Sequence, residues 1–486
     1  MKLWDKGYTL DKAIEEFTVG KDRELDLLLA PSDILGTMAH VTMLASVGLL
    51  SEADRDRLLP ELRRLYDKAV SGGFVIEEGM EDVHSQVELE LTRALGDIGK
   101  KVHTGRSRND QIMLDIKLFT RSAIETTVGK VRTLFAHMLE RSEELKDVLM
   151  PGYTHLQVAM PSSFGLWFGA YAEDLADDLF LLHAAWELAD RNPLGAAAGY
   201  GSSAPLDRDM TTTLLGFAGL DVNAGHAMLG RGKFEWTVAT AYASLAQTLG
   251  RFAADGCLFM SQNFGFIHLP DNLTTGSSIM PHKKNPDVFE LIRSHCNRLQ
   301  GIPDTIRGMV GNLPSGYFRD MQLIKEVYLP LFAEMDQVLD ILDYAVCRMT
   351  VEKDLMSKPL YATAFSVEQV NRLVAAGVPF REAYRQVADA ISAGTFRPDF
   401  GAATAASAAA TAATAATAAT AAADQVADAG APAGCKTSPA AADLGHTHIG
   451  SVGNLANDRI AAKMDALLAS FSFDKVRTAL NALLND

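Results

Sequence analysis

With 486 residues, 48% of them hydrophobic, the chain can bury a large core and is long enough for roughly two to four domains. A formal net charge of -16 excludes a nucleic-acid coat and a polybasic membrane anchor, so basic clusters are local and purposeful. Cys257, Cys296, Cys347 and Cys435 lack any C-x-x-C spacing, which excludes a zinc ribbon or disulfide frame and fits a reducing compartment.

The N-terminal run MKLWDKGYTLDKAIEEF spreads its charges and has no apolar h-region, so no secretory signal is expected and the reading is cytoplasmic. Apolar residues recur at helical spacing nearly everywhere and period-2 alternation is almost absent, which predicts an all-α fold. Residues 1–104 read as an N-terminal helical domain of short helices, such as 51–70 with Leu58, Leu59, Leu62 and Leu65 on one face. Residues 105–350 read as a central domain of long helices over 110–149, 162–190, 233–263, 286–310 and 325–348, whose apolar stripes predict a bundle. Residues 351–486 return to shorter helices over 362–376, 379–392 and 454–484. A low-complexity Ala/Thr segment at 401–442 interrupts them; it has too few large apolar side chains to build a core or to insert in a membrane.

Four polar clusters punctuate these helices. The stretch 273–290, LTTGSSIMPHKKNPDVFE, ends in a helix that Asn285 is expected to cap, with Pro286 at the first position and Asp287 at the positive end of the dipole. A helix N-terminus preceded by Gly-Ser-Ser and flanked by Lys283 and Lys284 is a ready anion site. The stretch 103–111, HTGRSRNDQ, carries Arg106 and Arg108, whose guanidinium groups suit carboxylates; by itself it could equally be a solvated loop ending in a cap. The proline-bracketed loop 151–161, PGYTHLQVAMP, offers Thr154, His155 and Gln157, and a histidine there can serve acid–base work or only the local structure. The fourth, 317–325, YFRDMQLIK, reads alone as a polar helix start. His84 and Glu88 lie one turn apart without the order of a zinc protease, and an ion pair on a helix surface is expected. The Gly-rich run GAAAGYG has no phosphate-loop lysine and reads as a turn.

GSSIMPHKKNP closely resembles the signature loop of the fumarase/aspartase superfamily, and HTGRSRNDQ, EDVHSQVE, PGYTHLQ and the spacing of Tyr317, Gln322 and Lys325 resemble its argininosuccinate lyase/δ-crystallin branch. The likeness covers nearly the whole chain outside the Ala/Thr segment. It implies an all-α homotetramer of three-domain subunits, with each active site assembled from three of them, acting on a small molecule with no nucleic acid or membrane partner. It implies a reversible split of argininosuccinate into arginine and fumarate that needs no cofactor and no metal.

Carried over by motif position, Ser277 is similar to the base that removes the Cβ proton, and His155 with Glu290 to the group on the acid side. Lys283 and Asn285 are similar to residues that stabilise the developing carboxylate charge. Ser107, Arg108, Asn109, Thr154, Ser278, Tyr317, Gln322 and Lys325 are similar to substrate-binding positions. Residue chemistry alone makes His155 the better base, since serine is a weak one unless its alkoxide is stabilised; the resemblance moves that role to Ser277, with Ser278 beside it as the other choice. Sister lyases acting on adenylosuccinate, malate or aspartate, and a catalytically silent crystallin-like relative, are the alternative readings. Departures from the family pattern are Gly20 where a serine is usual, a missing acidic pair after Gln322, and the variant glycine turn.

Overall fold

The structure is a computed structural model that describes residues 11–399 and 441–485, so the expected Ala/Thr segment lies almost wholly outside the described residues. The first helices are α1 (Lys12–Val19), α2 (Asp22–Leu25), α3 (Ala30–Ser46), α4 (Glu52–Val70) and α5 (Val83–Leu95). Ser51 starts α4 as expected, its hydroxyl accepting from the Asp54 N–H at 3.1 Å, and Leu58, Leu62 and Leu65 are buried along one face.

The long helices follow: α6 (Arg108–Glu144), α7 (Phe164–Ala189), the short α8 (Arg208–Leu214) and α9 (Ala224–Leu229), α10 (Lys233–Phe259), α11 (Asp287–Gln300), α12 (Ile302–Val310) and α13 (Lys325–Val346). Their apolar stripes meet in one core around Phe164, Phe168, Trp186, Tyr242, Phe252, Phe289 and Tyr328. α6 and α13 run parallel, tied by Thr120 to Tyr328 at 2.7 Å, Thr127 to Asp336 at 3.0 Å and His137 to Asp343 at 2.6 Å. α10 and α11 run antiparallel, and a Cβ on Gly256 would stand 2.8 Å from the Phe289 ring, so glycine permits the close approach. The remaining helices are α14 (Ser366–Ala375), α15 (Phe380–Ser392), α16 (Asn457–Leu468) and α17 (Phe473–Asn485). Among the described residues no single helix is long and apolar enough to cross a membrane.

Several expected boundaries shift. The helix over 110–149 stops at Glu144, and the loop 151–161 belongs to an antiparallel hairpin, β1 (Leu149–Thr154) with β2 (Gln157–Ser163). The prolines that suggested a loop sit opposite each other, Pro151 against Pro161, where a two-stranded ribbon leaves their missing donors unneeded. The helix over 286–310 is two helices, because Gly301 is a weak helix former and Pro303 cannot donate to the preceding turn. The 454–484 pattern likewise splits into α16 and α17 around Phe471, which is buried against Trp186.

Candidate functional site

At one end of the bundle, α6, α13 and the 317–325 stretch bring Arg108, Asn109, Tyr317, Gln322 and Lys325 around a cavity of about 100 Å³, joined by Asp22, Asp26, Asp82, His84, Arg231 and Arg319. α6 begins here because Ser107 caps it: its hydroxyl accepts from the Asn109 N–H at 3.3 Å, and the Asp110 carboxylate accepts from the Ser107 N–H at 2.9 Å. Ser107 thus aims Arg108, whose guanidinium lies against the carboxylates of Asp82 and Glu81. Lys325 is buried and held by Asp22 at 2.7 Å and Asp26 at 2.6 Å. Burial opposes its charge, yet these two carboxylates raise its pKa, while burial pushes Asp22 up to about 6. Gln322 donates to the Thr18 and Val19 carbonyls at 2.9 and 3.2 Å. Gly20 lies beside it with φ +54, a backbone conformation that disfavours the serine usual in the family.

Behind this cavity lies a buried charge group that the sequence did not announce. His84 was expected to pair with Glu88 on a helix surface; instead its face of α5 turns inward, and its Nδ1 meets Asp33 at 2.6 Å and Asp115 at 3.6 Å. Burial alone would strip the proton from His84, but the Asp33 carboxylate and then Asp115 and Asp82 raise its pKa to about 9. It is an imidazolium locked between carboxylates. Glu88 stays half-buried near Arg106.

The other clusters sit elsewhere. A 275–285 loop is pinched at its base, where the Asn285 N–H donates to the Thr275 carbonyl at 2.9 Å and the Thr275 hydroxyl bonds Asp287. Asn285 therefore closes the loop and does not cap a helix: α11 starts at Asp287 with no side-chain cap. Inside the loop the half-buried Ser277 hydroxyl accepts from the N–H groups of Met280 at 3.2 Å and Ile279 at 3.4 Å, whereas Ser278 is exposed. Lys283 and Glu290 are exposed, and among the described residues their side chains have no hydrogen-bond or ionic partner. Ile279 at 82% and Met280 at 38% also face solvent.

His155 stands at the tip of the β1–β2 hairpin beside the exposed Thr154, and the Thr154–Gln157 pairing leaves His155 and Leu156 as a two-residue turn. Both have positive φ, +52 and +57, at a cost of roughly 1–2 kcal/mol each for side chains of this kind. Within the chain His155 makes no ion pair with Glu290 among the described residues.

The two groups are held apart by α10. Its first turn adjoins Arg231, which bonds Glu235 and the Met321 carbonyl by the small cavity, while its last turn packs Gly256 on Phe289 at the root of the loop. With 27 residues, α10 separates these ends by about 40 Å. The residues a motif search misses are Asp22, Asp26, Asp33 and Asp115; only the i, i+4 spacing of the first two could have pointed to a shared face.

A lyase family model matches residues 7–301. The chain is 53% identical over 484 residues to the argininosuccinate lyase of Parabacteroides distasonis, covering 100% of this chain and 99% of that one. It is 51% identical over 483 residues to that of Bacteroides thetaiotaomicron, covering 99% of each. Among solved structures, an EDDS lyase in complex with formate matches with a TM-score of 0.73 at 24% identity over 98% of this chain and 94% of that one. A class II fumarase from Schistosoma mansoni matches at 0.63 and 18%, over 79% and 91%. These structural likenesses bear on the fold, which is the all-α arrangement expected.

Proposed function

The chain belongs to the argininosuccinate lyases, and from that membership we propose how its residues divide the work. The reaction splits argininosuccinate into arginine and fumarate, an arginine-forming elimination. Ser277 takes the Cβ proton of the succinyl unit. The electrons left on that carbon spread into the neighbouring carboxylate, where Lys283 and Asn285 supply fixed positive charge and a donor. The C–N bond then breaks, and His155, supported by Glu290, keeps the departing guanidinium nitrogen protonated. Arg108, Asn109, Tyr317, Gln322 and Lys325 hold the substrate from the other side, with Ser107 aiming Arg108.

The observation that carries the choice of base is the pair of backbone N–H groups on the Ser277 hydroxyl. Donors aimed at an oxygen favour its anionic form, which is what a serine base needs and what Ser278 does not have.

The 40 Å rod α10 supports a further part of the reading: no single chain can close Ser277 onto the Arg108 cavity, so each site draws on several subunits of a homotetramer. The cavity of about 100 Å³ is too small for a substrate of this size, for which sites of roughly 300 Å³ or more are usual. We also place the protein in the cytoplasm, where the free thiols Cys257, Cys296 and Cys347 stay reduced. Residues 1–104, 105–350 and 351–486 are its three domains; a separate apolar cluster around Val387 supports the last, while the one around Leu58 also takes in Leu114, Leu118 and Leu483.

Fumarate absorbance tests the assignment. Argininosuccinate gives a signal where adenylosuccinate, malate and aspartate give none, and Ser277→Ala loses at least about 100-fold in turnover, the scale of a lost acid–base group. Mixing refolded Ser277→Ala and Arg108→Ala chains restores about a quarter of wild-type activity if sites form between chains at random. No recovery would place the whole site within one chain.

A further inference from the structure

We propose that His137, Asp343 and Cys347 form a binding site for one thiophilic divalent cation, of the zinc, cobalt or cadmium class, across the α6–α13 pair. Asp343 on α13 and Cys347, its C-cap residue in helical geometry, lie one turn apart and so share a face, and His137 reaches them from α6. Their donor atoms, an imidazole nitrogen, a carboxylate oxygen and a thiol sulfur, all lie within 4.8 Å of one another. A tetrahedral ion with bonds of about 2.0–2.3 Å holds its ligands roughly 3–4 Å apart, so small side-chain rotations complete the set.

Donor chemistry selects the ion. A sulfur and an imidazole suit zinc and its neighbours, whereas magnesium and calcium require oxygen ligands. The site is also open: His137 is 37% exposed, Asp343 24%, and Cys347 is exposed. Three protein ligands leave a fourth position for water or for Glu140, which lies one turn from His137 on α6. Arg141 and Arg348 are the nearby cations, and both are engaged: Arg141 with Glu144 at 2.6 Å and the Met349 carbonyl at 3.0 Å, Arg348 stacked 3.4 Å over the Tyr344 ring. On binding, Cys347 releases its thiol proton to solvent and His137 exchanges its hydrogen bond to Asp343 for the metal.

The contrast with Asp33, His84 and Asp115 sharpens the choice. That group also gathers a histidine and carboxylates, but it is sealed and already holds a proton on His84 between the acids. The surface group is open to solvent, and its thiol adds the ligand that the buried one lacks.

Cobalt(II) titration of the full-length, chelator-treated protein tests the site. Wild type is expected to bind one ion per chain with a thiolate-to-cobalt charge-transfer band, which zinc abolishes by displacement while raising Tm. Cys347→Ser loses the band, and His137→Ala weakens binding at least about tenfold, a floor set by what losing even an outer-shell partner costs. Cys257→Ser keeps both band and affinity. Unchanged argininosuccinate cleavage by metal-free Cys347→Ser shows that the variant is folded. A wild type without the band, or a band that survives in Cys347→Ser, overturns the proposal.

Discussion

The two ends of the helical bundle are built on opposite plans. Around Arg108 and Lys325 nearly every charge has a partner within the chain: Lys325 sits between Asp22 and Asp26, Arg319 reaches Glu81 at 2.6 Å, and His84 is clasped by Asp33. Around the half-buried Ser277 and the exposed His155, Ser278, Lys283 and Glu290 face solvent, on or beside a pinched loop and a hairpin tip held in left-handed turn geometry. A closed end that is fully paired can keep its shape without substrate. An open end where Lys283, Glu290 and His155 have no partner among the described residues suits completion by another surface, which is the arrangement proposed above.

The contrast can be tested from either side. At the open end, His155→Ala is expected to cut turnover by about 10²–10⁴-fold while leaving the urea midpoint within error, because the ring touches little of its own chain; a matching loss of stability would make His155 a structural residue. At the closed end, His84→Gln should cost about 3–5 kcal/mol of stability, since it strands Asp33 and Asp115 without a counter-charge.

That second effect depends on pH in a defined sense. The folded pKa of His84, about 9, lies above its ordinary value of 6.5. Its stabilisation is therefore complete below about 6.5 and fades as pH rises through about 9. Wild type and His84→Gln should converge in urea midpoint between pH 6 and pH 9.5, and parallel curves would mean that His84 is neutral in the fold. The smallest effect is Leu156→Gly, which removes a side chain from a left-handed position and should raise hairpin stability by about 1 kcal/mol, seen as slower amide exchange in β1 and β2.

Much of this was readable in advance, for physical reasons that differ by region. The long helices α6, α7, α10 and α13 announce themselves through apolar repeats, and Ser51 caps α4 with the residue type that such a position demands. All the residues proposed to react with or hold the substrate lie in clusters visible as motifs. Three features were hidden. The hairpin carrying His155 has proline at two of its pairing positions, so its strands lack a strand-like pattern. Asn285 has the side chain of a cap but spends its backbone closing the loop, a choice only the partner strand at Thr275 reveals. His84 pairs with Asp33 and Asp115, which are 51 and 31 positions away, and no local spacing records that meeting.

The length of α10 also acts as a ruler that the neighbouring subunits of the proposed assembly must share. Excising two turns from it would pull the Ser277 loop back by about 11 Å relative to the Arg108 end, out of reach of whichever cavity it serves. Such a chain could fold, and even associate, yet leave each site gaping. In the proposed assembly, a helix with no catalytic side chain of its own thereby limits how far insertions and deletions can drift, and a freshly made chain stays inert until it meets its fellows.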